Sequence, residues 1–213
     1  MRAVLRKARV GAVVATAAVL GLAGTVDAQA LGADGARTTA AASSTAAAVD
    51  YQTWKNDVDK VMDQALPYIQ ERIQNGGGQK QAIVLDVDNT SLETYFQLFP
   101  PTPAVERVLE LTRYANERGV GIFFITARPD VLEQVTRGNL VHVGYPITGL
   151  YQRSLGDIFG DPTEYKTAKR AEIESLGYTI IANIGNNQSD LVGDTPSARS
   201  NCLTMTVSCP ESE

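Results

Sequence analysis

Cysteine, histidine and tryptophan are scarce in this 213-residue chain, at two, one and one. Two sulfurs and the distant His142 do not complete a thiolate–imidazole ligand set, which excludes a zinc-type centre. Cys202 and Cys209 lie close together near the C-terminus, where a disulfide would close a short loop; two free thiols are the alternative. Positive charge is also in deficit, with 19 Lys and Arg against 24 Asp and Glu and a net charge of −5. Such a surface repels phosphate backbones and anionic bilayers, which argues against a nucleic-acid partner but leaves room for a local basic pocket holding one small anion. The glycine run Asn75-Gly76-Gly77-Gly78 lacks the Lys-Ser/Thr ending of a phosphate loop and precedes a strand pattern instead of following one, so it reads as a linker. No internal repeat is present.

The chain opens with Arg2, Arg6, Lys7 and Arg9, then an apolar stretch from Val10 to Val26, then the small residues Ala28-Gln29-Ala30. This is the pattern of a secretory signal peptide over residues 1–30. The apolar run is short and broken by Gly and Thr, which disfavours the alternative of a retained membrane anchor, and no Cys follows it for lipid attachment. Residues 31–50 are mostly Ala, Thr, Ser and Gly, a composition that cannot bury enough apolar surface to offset the entropy of ordering it, so a flexible leader is expected. Folding is expected over residues 51–213, as one domain. Removing residues 1–30 takes away four basic and one acidic residue, leaving a net charge of about −8 on a secreted protein with no stable membrane association.

From Tyr51 to Ile73 apolar residues recur at three and four residue spacing, an amphipathic helix with Pro67 as a bend point. Strands are expected at 82–87, 120–125, around Leu150, at 179–184 and at 202–207, with helices at 102–118, 130–143 and 161–176. Alternation of this kind specifies an α/β fold, a Rossmann-like parallel sheet with helices on both faces and all strand carboxyl ends on one rim.

Polar groups collect on that rim. The buried-strand pattern Ala82-Ile83-Val84-Leu85 ends in Asp86-Val87-Asp88-Asn89-Thr90, and strand alternation puts Asp86 and Asp88 on the same side, able to share a hard cation or divide nucleophilic and acid/base work. Ile125 runs into Thr126-Ala127-Arg128, a hydroxyl and successive N–H groups at an expected helix start, suited to an anion. Asp161-Pro162-Thr163-Glu164 specifies a helix N-terminus, and Lys166 in its first turns leans back toward the rim, whereas Lys169 and Arg170 read as solvated charges. Ile184 leaves through Gly185 into the polar loop Asn186-Asn187-Gln188-Ser189-Asp190. Together these groups suit attack on a phosphoryl centre beside a hard cation.

With these motifs the chain resembles the haloacid dehalogenase (HAD) superfamily of phosphohydrolases, and within it the secreted class B type acid phosphatases and plant vegetative storage proteins. Asp86-Val87-Asp88-Asn89-Thr90 matches the Asp-x-Asp-x-Thr motif, Thr126 the second motif, Lys166 the third, and Gly185 to Asp190 the fourth. The resemblance implies a phosphate monoester as small-molecule substrate, Asp86 as nucleophile, Asp88 as acid/base, and Thr126, Ala127, Arg128 and Lys166 around the phosphoryl oxygens. It also implies Mg²⁺ held by Asp86, the Asp88 carbonyl, Asn186 and Asp190. Asn186 stands where the family usually carries Asp, one negative charge fewer for the cation.

The roughly 35 residues between Thr90 and Thr126 leave no room for a large cap domain, so the site is expected to be open. The Tyr95-Phe96-Gln97-Leu98-Phe99 segment suits either a lid on the core or a platform for an apolar leaving group. A single His excludes a paired-histidine phosphatase, and the lack of a Cys-x5-Arg loop excludes a cysteine phosphatase. Two rivals stay open: a binding or storage protein on the same fold, motivated by Asn186, and phosphotransfer to an alcohol through the same aspartyl-phosphate. Oligomeric state is not legible in the sequence.

Overall fold

The computed structural model describes residues 49–193 and the strand 203–206. The expected signal peptide, residues 31–48 of the leader, and Cys202 and Cys209 lie outside the described residues. The first helix, α1 (Tyr51–Gln74), starts at Asp50, whose carboxylate accepts from the Thr53 amide at 2.8 Å, so the last residue assigned to the leader is the helix cap. α1 continues through Pro67 and buries Trp54, Val58, Met62, Ala65 and Ile69, the stripe its spacing specified. No helix among the described residues is long and apolar enough to cross a membrane.

The sheet contains β1 (Gln81–Leu85), β2 (Gly121–Pro129), β3 (Gly149–Arg153), β4 (Thr179–Gly185) and β5 (Leu203–Thr206), in the order β3-β2-β1-β4-β5 and parallel throughout. Between them run α2 (Glu106–Asn116), α3 (Glu133–Val143), α4 (Pro162–Ser175) and the short α5 (Gln188–Leu191). From β1 the chain moves outward through β2 to β3, then crosses back to β4 on β1's other side. That reversal opens a crevice at the carboxyl ends of β1 and β4, the place where doubly wound sheets bind ligands.

β1 is buried along its whole length because both faces are covered. Ile83 and Leu85 pack with Ile122 and Phe124 against Trp54 and Met62 of α1 and Val108 and Leu111 of α2. Ala82 and Val84 face the other way, toward Phe123, Ile125 and Ile173 of α4. The alternation fixes register, since a one-residue slip would exchange the two cores.

Several element boundaries differ from the sequence expectation, and β1 ends at Leu85 and not at Val87, because the chain turns from Asp86 onward. α2 begins at Glu106 and not at Thr102, because residues 102–105 are held extended: Val105 donates its amide to the Ser91 carbonyl at 2.9 Å, Glu93 donates to that of Pro103 at 3.0 Å, and the Asn139 side-chain amide bonds the Thr102 backbone. β2 extends to Pro129, which pairs with Arg153 of β3, so Thr126-Ala127-Arg128 is strand and not the start of a helix. A 3₁₀ turn at Asp130–Leu132 comes before α3.

Candidate active site

Immediately after β1 the chain folds into a tight turn. The Asp86 amide stays in the sheet, donating to the Ile184 carbonyl at 3.0 Å, while the Ser91 hydroxyl donates to the Asp86 carbonyl at 2.6 Å. Asn89 sits in the left-handed region at φ 56, a conformation Asn tolerates, and its side-chain oxygen accepts from the Tyr95 amide at 2.6 Å. The turn thereby fixes both carboxylates at the mouth of the crevice.

Asp86 is 5% exposed, Lys166 3% and Asp190 5%, and the three form one buried row. Lys166 Nζ donates to Asp86 Oδ1 at 2.8 Å and also to Asp190 Oδ1. Burial pushes the Asp86 carboxyl up to about 7; Lys166 opposes this and the Asp190 charge adds to it. Burial alone would lower the Lys166 ammonium, but the two carboxylates outweigh it and the net shift is upward. The other oxygen of Asp190 accepts from the Asn187 amide at 2.9 Å, completing the capping box that starts α5. Gly185 permits this approach: a Cβ there would lie 2.2 Å from the Asp190 Cβ.

Asp88 pairs instead with the end of β2. Arg128 grips it with a two-point fork, Nη2 to Oδ1 at 2.6 Å and Nε to Oδ2 at 2.9 Å, and its Nη1 reaches the Thr136 hydroxyl at 3.3 Å. Burial raises Asp88, but the Arg128 hydrogen bonds and charge, the Thr94 hydroxyl and Lys166 outweigh it and hold the carboxyl below its usual value. Thr126 is buried next to this pair, its hydroxyl accepting from the Arg128 amide at 3.2 Å. Ala127 is exposed on the strand end. The Thr126 hydroxyl therefore stands beside the Arg128–Asp88 pair on a strand end, and not at a helix start with its row of N–H groups.

Asn186 is half-buried, and its Oδ1 accepts from the Thr90 hydroxyl at 3.3 Å and from Asn187 Nδ2 at 3.0 Å, joining the first motif to the fourth. Among the described residues no three carboxylate, imidazole or thiol side chains converge on a metal position. Hard-oxygen donors are present on this rim all the same: the Asp86 and Asp190 carboxylates, the Asn186 amide oxygen and the Asp88 carbonyl. Donors of this kind suit a hard divalent cation, which would share Asp86 and Asp190 with the Lys166 ammonium already bonded to both.

Of the residues expected on one rim, the structure joins Asp86 with Lys166 and Asp190, Asp88 with Arg128 and Thr126, and Asn186 with Thr90. The alternation expected of Asp86 and Asp88 does not apply, because β1 ends at Leu85 and both lie in the turn. The sequence reading of Arg170 is corrected: the side chain is 1% exposed and donates to the Asp190 carbonyl at 3.0 Å. The available signal was spacing, because Arg170 follows Lys166 by four residues and shares its helix face. Lys169 does sit at the surface, paired with Glu172 at 2.8 Å. The 95–99 segment divides: Phe96 packs on Tyr51 and Trp54 with ring centroids 4.8 and 5.1 Å away, whereas Tyr95, Leu98 and Phe99 are exposed. Two cavities among the described residues, of about 280 and 370 Å³, lie between α1 and α2 and include none of Asp86, Asp88, Thr126 or Lys166.

The family model described as HAD superfamily, subfamily IIIB (acid phosphatase), matches residues 14–97 and 101–211 of the chain. Acid phosphatase 1 of Solanum lycopersicum is 27% identical over 168 residues, covering 69% of this chain and 66% of its own. Vegetative storage protein 1 of Arabidopsis thaliana is 29% identical over 148 residues, covering 67% of this chain and 50% of its own. The chain thus spans between half and two thirds of the length of these curated relatives. In fold it is similar to the class C acid phosphatase from Bacillus anthracis, at TM-scores of 0.60 with tungstate bound and 0.61 in a second structure. Identity there is 21% and 19%, over 76% of this chain and 80% of that one.

Proposed function

The chain belongs to the acid phosphatases of HAD superfamily subfamily IIIB, and from that premise we propose that it is an exported, Mg²⁺-dependent phosphatase that hydrolyses small phosphate monoesters through an aspartyl-phosphate on Asp86. The observation that carries this reading is the arrangement of two acids two residues apart at one strand end, one bonded to a buried lysine and the other to an arginine fork.

In the first step an Asp86 carboxylate oxygen attacks phosphorus, the bond to the ester oxygen breaks, and Asp88 gives that oxygen a proton. In the second, Asp88 as carboxylate takes a proton from water, the water oxygen attacks phosphorus, and the Asp86–phosphorus bond breaks to release inorganic phosphate. Lys166 orients Asp86 and offsets charge on the phosphoryl oxygens, and Thr126 offers them its hydroxyl. Arg128 orients Asp88 in the free site, and an incoming phosphoryl dianion competes for the same guanidinium. Asp86, Asp190, Asn186 and the Asp88 carbonyl would hold Mg²⁺, which when bound would neutralise phosphoryl charge and favour the carboxylate form of Asp86.

A second reading has one observation in its favour. The Asn186 oxygen that would face the cation already accepts two hydrogen bonds, an arrangement that suits a catalytically weakened binding or storage protein. The test is release of 4-nitrophenol from its phosphate ester, titrated with Mg²⁺ and run beside Asp86→Asn. Mg²⁺-dependent turnover that disappears in the variant supports the enzyme; no turnover by folded protein at millimolar Mg²⁺, from acidic to neutral pH, favours the binding role.

A further inference from the structure

The fourth-motif segment carries Asp190 on a helix of only four residues, Gln188–Leu191. A helix that short has carbonyls without intrahelical partners and does not hold its shape unaided. Those carbonyls are met from α4. Arg170 Nη1 donates to the carbonyls of Asp190 at 3.0 Å and Ser189 at 3.5 Å, and Nη2 donates to that of Val192 and to the Thr167 hydroxyl at 3.0 Å. Arg170 is as thoroughly buried as Lys166, one turn earlier on the same face. Asp190 is therefore gripped twice from one helix, its carboxylate by Lys166 and its carbonyl by Arg170.

We propose that Arg170 is a positioning residue of the phosphoryl-transfer site: it holds residues 188–192 against α4 so that the Asp190 carboxylate fixes the Lys166 ammonium beside Asp86. The inference rests on the phosphatase reading for its kinetic consequence. The clamp itself is a statement about structure and has its own readout. Lys166 needs a fixed carboxylate on its far side because a flexible ammonium in a buried row would otherwise collapse onto Asp86 alone, and a small displacement at a reacting centre costs rate out of proportion to its size.

The test uses the full chain with Arg170→Met, Arg170→Lys, Arg170→Ala and a core control on the same helix, Ile173→Val. Each is assayed for 4-nitrophenyl phosphate hydrolysis well below its melting temperature and for amide hydrogen exchange. Arg170→Met is expected to lose about 10- to 100-fold in kcat, with faster exchange confined to residues 186–192. Arg170→Ala is expected to regain part of the lost rate with added millimolar guanidinium, and Ile173→Val to stay within about twofold of the parent. Should Arg170→Met fail to fold, Arg170→Lys, which keeps the charge but not the fork, provides the same comparison. The proposal is overturned if a folded Arg170 variant turns over within about twofold of the parent, or if exchange across residues 186–192 is unchanged. If the parent chain itself releases no nitrophenol, the phosphatase reading fails, and the exchange result still decides whether the clamp exists.

Discussion

Asp86 and Asp88 stand two residues apart at the end of one strand, yet they occupy different electrostatic regions. Asp86 lies inside, walled by α4 and β4, where burial pushes its carboxyl up to about 7 despite the lysine on its oxygen. Asp88, its side chain 36% exposed, lies outside on the β2 flank, where burial also pushes upward but the Arg128 fork wins and holds it low. The difference shows that surroundings, not residue type or strand position, set the two acids apart. In the free site a raised pKa favours a neutral Asp86 and a lowered one an anionic Asp88, so the proposed parts need a phosphoryl group that draws Arg128 away from Asp88 and a cation that favours the Asp86 carboxylate.

Substitutions can break that comparison or sharpen it. The largest effect is expected at Asp86: Asp86→Asn should cost at least about 10⁴-fold in kcat, whereas Asp88→Asn, which keeps the nucleophile, should cost about 10²- to 10⁴-fold in kcat, with the loss in kcat/KM least for a leaving group such as nitrophenolate that needs no proton. Equal losses with that ester would contradict the division of labour. Next comes Gly185→Ala. An added methyl would overlap Asp190 at 2.2 Å, so kcat should fall about 10- to 100-fold and stability by about 1–3 kcal/mol, read by chemical denaturation. Unchanged kinetics would mean that the interior row tolerates a displaced Asp190.

On the outer side, Arg128→Lys replaces the fork with a point charge and should lower kcat/KM by about tenfold, with little change in folding stability, since the pair is partly solvated. A loss as large as that of Asp86→Asn would place Arg128 in the interior machinery. The smallest effect is expected at Asn186→Asp, which restores a carboxylate and should lower the half-saturating Mg²⁺ concentration about three- to tenfold; an unchanged or raised value would sink that assignment.

Much of this was legible along the chain because the informative signals are local. β1 appears as an apolar run and β4 as one interrupted only by Asn183, since both their faces are covered, and Asp161-Pro162 marks the start of α4 by cap chemistry that the structure reproduces, with the Asp161 side chain accepting from the Thr163 amide at 2.7 Å. What escaped depends on residues distant in sequence. Pro103 looks like a first helical residue, yet contacts to Ser91, Glu93 and Asn139 keep residues 102–105 extended. Thr126-Ala127-Arg128 looks like a helix start, but pairing with β3 continues the strand. Asp190 reads as a metal ligand, and only the fold reveals that one of its oxygens already belongs to Lys166. The burial of Arg170 follows from carbonyls some twenty residues further on, which no local pattern specifies.

The most direct test of the central claim is to trap the covalent intermediate. Asp88→Asn, mixed with 4-nitrophenyl phosphate and Mg²⁺ and quenched in acid, should accumulate a protein carrying one added phosphoryl group, because the first step proceeds without a proton while the second lacks its base. Peptide mass spectrometry should place that group on Asp86, and the double variant with Asp86→Asn should carry none. A phosphoryl group on any other residue, or none at all in a parent enzyme that turns over, would contradict the account.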